Sequence, residues 1–354
     1  MSYELTIEPL GETIEVEEDQ SILDACLRAG IWLPYACNHG LCGTCKIEVV
    51  EGEIQHNHAS SFALMDVERD EQKCLACCAT LESDVTIEAD IDEEPDALSL
   101  PIEDCVAKVV RIDSLTPTIK GIWLELDGDG LKFQAGQYIN LSLPGLDQPR
   151  AFSIASSPAE PNLLEINVRR VEGGAATNYL HDELSIGDRL TITGPLGRFF
   201  VRKSYAEPMI FIAGGSGLSS PKSMIMDLLE NDDSREITLL YGARNEAELY
   251  YREFFVGLAE KYDNFHYVVA LSDVDADEHW QGERGFVHEL AEKHFDNAFA
   301  NHKAYLCGPP PMIDAAITSL MRGRLFEEHI FMESFFTAAD ASEPPRRSAL
   351  FKKF

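Results

Sequence analysis

CNHGLCGTC, residues 37–45, sets three cysteines in nine residues with the spacing C-x4-C-x2-C, around Gly40 and Gly43. A short polar loop has no apolar cover to bury three thiols, so a cluster this dense points to a disulfide framework or to metal. The remaining sequence decides between them. The start, MSYELTIEPLGETIEVEE, is acidic from its fourth residue and lacks the basic-then-apolar order of a signal peptide. No apolar run approaches the roughly 20 residues that cross a bilayer. The expectation is a cytoplasmic protein, where thiols stay reduced, so the nine cysteines read as metal ligands, catalytic groups or core residues.

Downstream, KCLACC (73–78) adds Cys74, Cys77 and Cys78. Two metal sites compete. Cys42-x2-Cys45 with Cys74-x2-Cys77 would make a four-cysteine zinc site, but the 28 intervening residues exceed the usual ribbon and Cys37 is left idle. The alternative is a [2Fe–2S] cluster, held by C-x4-C-x2-C and a distant fourth cysteine. A bridged two-iron cluster needs a tightly wrapped loop, and Gly40 and Gly43 permit the backbone angles and close amide approach that wrapping requires. Cys26 falls on a short helix, SILDACLRAG (21–30), capped by Ser21 and ended by Gly30, and reads as core. His39, His56 and His58 lack the paired Cys-x-His spacing of a Rieske centre and read as surface residues.

The whole chain has 354 residues, 45% of them apolar, which is globular material sufficient for two or three domains. Its net charge is −32, which argues against nucleic acid or an anionic membrane as partner. Residues 1–96 carry 23 acidic and 4 basic side chains, a net of −19. That surface either keeps the protein soluble or steers a basic protein partner.

Three segments differ in pattern. Residues 1–95 hold seven cysteines, begin with a hairpin (ELTIEPL, ETIEVEE) and end in EADIDEEPDALSLP (88–101), which reads as a linker. Residues 96–205 alternate apolar and polar side chains in short runs such as CVAKVVRI, GIWLELD, YINLSLP, LEINVRR and RLTITGP, as in an antiparallel barrel or sandwich. Residues 206–340 alternate strands (PMIFIAGG, EITLLYGAR, FHYVVAL, KAYLCGP) with helices (PKSMIMDLLEN, ELYYREFFVGLAEKY, GFVHELAEKH, PMIDAAITSLM), the mark of a doubly wound parallel sheet. A basic tail, 341–354, has no assignment.

Within the second segment, RAFS (150–153) offers an Arg and a Ser that can grip a pyrophosphate and a flavin ring edge, with Phe152 between them to pack on the ring. VRRVEGGAATNYL follows, and its pair Gly173–Gly174, leading into a helix capped by Thr177, suits phosphates at a helix N-terminus. In the third segment FIAGGSGLSSPKSM runs from strand to helix through Gly214, Gly215, Ser216 and Gly217, where amides can cradle a dinucleotide. YGARN (241–245) ends the next strand, with Arg244 and no acidic residue to take a ribose hydroxyl, so NADH and NADPH both stay open. CGPPPM (307–312) closes a further strand.

On these motifs residues 1–95 resemble a plant-type [2Fe–2S] ferredoxin domain. The family's fourth ligand follows Leu and a small residue, which implies Cys77 beside Cys37, Cys42 and Cys45. The remainder resembles the ferredoxin–NADP reductase family, with FAD on the barrel. RAFS stands for its R-x-Y-S, with Phe152 losing one hydroxyl. GGSG stands for its G-G-T-G-x-x-P, with Pro221 one position late. The resemblance implies a β-grasp-like α+β ferredoxin domain, an antiparallel β-barrel flavin domain and an α/β doubly wound nucleotide domain. It also implies that Cys307, Gly308 and Pro309 lie beside the nicotinamide, and that Glu333 and Phe335 of FMESFF close over the flavin, with Phe336 next to them. A buried final strand explains that last segment equally well.

Ferredoxin, flavin and nucleotide segments in this order resemble the reductase components of bacterial multicomponent oxygenases, and the phenol hydroxylase reductases above all, on CNHGLCGTC, KCLACCATLESD and YGARNEAELYYREFF. The implied path runs from NAD(P)H through FAD and the cluster to an oxygenase, with a monomer as the simple expectation. Other acceptors are an alkane, toluene or benzoate oxygenase or a deoxysugar dehydratase. A zinc-bearing regulatory protein on a reductase-like fold is the contrasting class. Nothing in the chain supplies substrate oxidation itself.

Overall fold

A computed structural model describes residues 2–36, 38–91, 94–274 and 279–335. They fall into two compact units, Met1–Glu103 and Asp104–Phe354. Cys37, Phe336 and the tail from 341 lie outside the described residues.

In the first unit β1 (Ser2–Glu8) and β2 (Glu12–Glu17) form the expected hairpin, with Leu5 opposite Ile14. Helix α1 (Ile22–Arg28) follows, its start held by Ser21, whose Oγ accepts the Asp24 amide at 3.2 Å. Its apolar face, with Ile22, Leu23 and Cys26, is buried. β3 (Lys46–Glu51), β4 (Ile54–Gln55), α2 (Asp66–Asp70), β5 (Lys73–Leu75), β6 (Thr80–Leu81) and β7 (Val85–Glu88) complete the unit. The main sheet runs β2–β1–β7–β3–β5, with β1 and β7 parallel. Parallel neighbours need a crossover, and a sheet with such a pair and a packed helix is the β-grasp.

Directly after the acidic stretch read as a linker, the chain is anchored to α1. The Ile102 amide donates to the Leu27 carbonyl at 3.1 Å, and the Ile102 side chain is buried.

In the second unit β8 (Glu103–Ser114), β9 (Ile119–Leu126), β10 (Tyr138–Ser142), β11 (Arg150–Ser153), β12 (Leu163–Arg169), α3 (Ala175–Asp182) and β13 (Arg189–Leu196) build the barrel. The order is β11–β10–β13–β8–β9–β12, and a bridge between Ile154 and Ile166 nearly closes it. Ile122, Leu124, Ile139, Leu141, Ile166 and Ile192 fill the interior. The alternating runs thus resolve to a barrel.

Next come β14 (Met209–Gly214), α4 (Ser219–Glu230), β15 (Ile237–Ala243), α5 (Arg252–Lys261), β16 (Phe265–Leu271), β17 (Glu283–Arg284), α6 (Val287–His294), β18 (Lys303–Gly308), α7 (Pro310–Arg322) and β19 (Ile330–Ser334). The sheet order is β17–β16–β15–β14–β18–β19, every pair parallel. The order reverses at β14, so the crevice beyond the carboxyl ends of β14 and β18 is where such a fold places a ligand.

Two helices begin elsewhere than the sequence suggested. A 3-10 turn over Glu246–Glu248, capped by Asn245, ends on the first residue of ELYYREFFVGLAEKY, and α5 begins only after Tyr251, whose φ is +58°. Helix α3 is capped by the extended Gly174, so Thr177 is not its cap but lies in its first turn. Ala175 and Ala176 join the helix because alanine is the strongest helix former.

Candidate functional site

In the first unit the cysteine loop meets the 76–78 turn through strand register. Lys46 pairs with Leu75 and Ile47 with Cys74, so Cys45 comes level with that turn, and its carbonyl accepts the Ala76 amide at 2.9 Å. Cys45 and Cys77 are buried with their thiols in contact, while Cys42 is exposed. Cys74 and Cys26 point into the core, and burial pushes each of these thiols up to about 12. A side chain on Gly40, where φ is +70°, would meet Cys78 Sγ at 2.5 Å, so only glycine lets the loop pass this close to the thiols.

His39 and His58 are exposed, as the surface reading expects, while His56 departs from it. His58 Nε2 is 3.5 Å from Cys78 Sγ. His56 is half-buried, and burial together with Arg69 pulls its pKa down.

In the second unit a cleft of about 1310 Å³ opens where the barrel meets the carboxyl ends of β14, β15 and β18. That exceeds the roughly 300–1,000 Å³ of a single-ligand pocket and has room for two nucleotides. Arg150, Phe152, Ser153, Gly173, Gly174 and Thr177 line it from the barrel side. Gly214, Gly215, Ser216, Arg244, Pro309, Glu333 and Phe335 line it from the sheet side. Cys307, Gly217 and Gly308 form the layer behind. A Cβ on Gly217 would lie 2.3 Å from the Cys307 carbonyl, so the turn after β14 is pressed flat on β18. Pro221 falls in the first turn of α4, where a missing N–H costs nothing.

Several polar groups meet at the cleft floor. Glu333 Oε2 accepts from Ser153 Oγ at 3.0 Å and Ser220 Oγ at 2.8 Å, and Cys307 Sγ lies 3.8 Å away. Burial raises the Glu333 carboxyl above its ordinary range against the pull of these three donors. The Cys307 thiol is raised well above its usual value by burial and by the Glu333 charge, so it stays protonated. The pairing Cys307↔Glu333 on adjacent strands β18 and β19 creates this juxtaposition. The final strand, half-buried beyond Ile330, is therefore also the element that carries the cleft-facing acid.

Other residues of the site have no role assigned from the sequence. Tyr241 and Tyr250, both buried and held protonated, donate to the Gly215 carbonyl at 3.4 and 3.2 Å and orient the glycine turn. Ser220 is legible only as the second serine of GLSSP. Phe286 and His288 stack with ring centres 5.7 Å apart at the far end of the cleft.

A thiol-lined loop in one unit, and a barrel sharing a deep cleft with a parallel sheet in the other, define a flavin- and iron–sulfur-dependent nicotinamide oxidoreductase. The family models agree: a 2Fe-2S iron-sulfur cluster binding domain matches residues 5–82, an oxidoreductase FAD-binding domain 107–201 and an oxidoreductase NAD-binding domain 211–318. The chain is 59% identical, over the full length of both proteins, to the phenol 2-monooxygenase reductase component DmpP of Pseudomonas sp. (strain CF600). It is 58% identical to the phenol hydroxylase P5 protein of Acinetobacter pittii (strain PHEA-2), over 99% of each. Among solved structures, the Amycolatopsis cytochrome P450 reductase GcoB is 33% identical with a TM-score of 0.82, over 94% of this chain and 98% of its own. The ferredoxin reductase in carbazole 1,9a-dioxygenase is 30% identical with a TM-score of 0.75, over 95% and 99%.

The chain belongs to the family of reductase components that serve multicomponent oxygenases. Its cofactors are a [2Fe–2S] cluster, FAD and NADH or NADPH. The zinc reading falls with the iron–sulfur match. Among the described residues no helix is long and apolar enough to cross a membrane.

Proposed function

We propose that this protein is the reductase of a phenol 2-monooxygenase and delivers electrons from NAD(P)H to the oxygenase component that converts phenol to catechol. The observation that carries the reading is the 59% identity to DmpP without a gap in coverage of either chain. The flavin and the cluster supply the redox chemistry, hydride in and single electrons out, at a cluster potential near −400 mV for the type.

The chain's own residues take the following parts. Arg150, Ser153 and the turn Gly173–Thr177 hold the flavin nucleotide, and Phe152 packs on its ring. Gly214–Gly217 and Arg244 hold the nicotinamide dinucleotide, and Gly308 and Pro309 shape the wall beside it. Cys307, kept as a neutral thiol, and Glu333, oriented by Ser153 and Ser220, border the point of hydride transfer, with Phe335 closing that end. Cys37, Cys42, Cys45 and Cys77 hold the iron. The domains divide at 95/96, 205/206 and 340/341. The protein acts as a cytoplasmic monomer and binds neither nucleic acid nor membrane, as its net charge of −32 favours.

The test is catechol formation from phenol by this protein, NADH, and a purified phenol hydroxylase oxygenase with its effector protein. Cytochrome c reduction serves as control. Product supports the reading; cytochrome c reduction without product moves the acceptor to another oxygenase, such as those served by the propane 2-monooxygenase reductases, which are 33–34% identical to this chain.

A further inference from the structure

The interface between barrel and nucleotide sheet holds an ion pair that the electron path does not use. Lys222 on α4 and Glu165 on β12 meet at 2.8 Å, with side chains 6% and 5% exposed. The ammonium also donates to the Ala155 carbonyl at 2.9 Å and lies over the Tyr251 ring, 4.8 Å from its centre. Glu165 Oε1 accepts from Tyr251 and, at 2.6 Å, from Asn167 Nδ2. A pair this dry repays little of its desolvation, and apolar residues of similar volume are often as stable. Its value is then geometric.

The geometry runs toward the cleft. Glu165, Asn167 and Arg169 alternate along one face of β12, as period two demands. The Ser219 hydroxyl shares its one proton between the Ser216 carbonyl at 2.8 Å and, more weakly, Asn167 Oδ1 at 3.3 Å. A Cβ on Gly215 would stand 2.7 Å from the Arg169 guanidinium. The stripe therefore joins the buried pair to both ends of the glycine turn 214–219. Tyr251 sits in the left-handed region at φ +58°, a costly conformation for an aromatic residue, and its hydroxyl is tied to Glu165.

We propose that Glu165 and Lys222, acting through Asn167 and Ser219, are positioning residues that lock the dinucleotide-binding turn in register with the flavin barrel and so set the alignment for hydride transfer. The pair joins the element that carries the nicotinamide to the element that carries the flavin. Neither residue touches the reacting atoms.

The test uses the full holoprotein and NADH, with anaerobic stopped-flow reading of flavin bleaching, so it stands apart from the choice of oxygenase. The double variant Lys222→Met/Glu165→Leu removes both charges together. It is expected to keep its visible spectrum and a Tm within about 5 °C of the parent. Its limiting rate of flavin reduction at saturating NADH is expected to fall about tenfold or more, with faster hydrogen exchange of amides 214–220. Parental values for both the limiting rate and the exchange would overturn the proposal. If the double variant does not fold, Asn167→Ser decides. It cuts the link to the turn and leaves both charges, so a several-fold slower limiting rate with FAD retained is expected, and a parental rate rejects the lock.

Discussion

The two redox sites of this protein are built in opposite ways. The cysteine loop is one stretch of sequence, with residues 38–45 meeting a turn that a short strand pair brings alongside. The cleft draws on RAFS, the Gly173–Gly174 turn, the 214–219 turn, the end of β18 and the last strand, with Ser153 and Glu333 meeting across 180 residues of sequence. A site written in one stretch fails all at once when a ligand is lost. One assembled from distant segments fails by degrees, as its elements lose register.

The largest effect should come from the loop. Cys42→Ser is expected to reduce NADH-driven cytochrome c reduction to background while sparing ferricyanide reduction at the flavin. Cys42 is exposed, so the fold should stand. Equal loss of both activities would break the contrast, because it would make the two sites one unit. In the cleft, Gly217→Ala forces a methyl to within 2.3 Å of the Cys307 carbonyl. Overpacking of this kind costs about 1–3 kcal/mol, and thermal unfolding with nicotinamide titration should show lower stability and weaker NADH binding while the cluster spectrum persists.

A subtler change is Glu333→Gln, which keeps the shape and removes the charge. The folded-state pKa of this acid is raised, so its ionised form opposes folding. That penalty is full above the folded pKa and disappears as pH falls through it toward the unfolded value. The Gln variant is therefore expected to match or exceed the parent in stability at alkaline pH, with the difference shrinking on acidification in paired melts. Its flavin reduction should slow by about one order of magnitude, equivalent to about 1.4 kcal/mol. The smallest effect belongs to Ser21→Ala. Losing the cap on α1 costs about 1 kcal/mol and should leave both the ferricyanide and the cytochrome c rates unchanged.

How much could be read in advance follows the same division. The hairpin, the capped α1, the alternating barrel runs and the strand–helix alternation rest on local periodicity and appear where expected. The errors fall where a distant contact outbids local preference. Tyr251 interrupts an apparently continuous helix because its hydroxyl is held by Glu165, 86 residues away. Ser220, Tyr241 and Tyr250 lie inside stretches that the sequence singles out but take no role from them, since a serine in a helix and tyrosines in or beside strands are ordinary until their partners are known.

The amino-acid sequence by itself determined the three-part order, the ligand-rich loop, the glycine turns and the strand that ends in CGPPPM. These depend on chain neighbours a few residues apart, where spacing alone dictates what backbone and side chains can do. Only the tertiary structure decided that Glu333 faces Ser153, Ser220 and Cys307, and that Lys222 and Glu165 are buried as a pair. Those contacts arise from strand register and from the packing of the nucleotide sheet on the barrel, and a buried charge becomes meaningful only when the group that compensates it is in place.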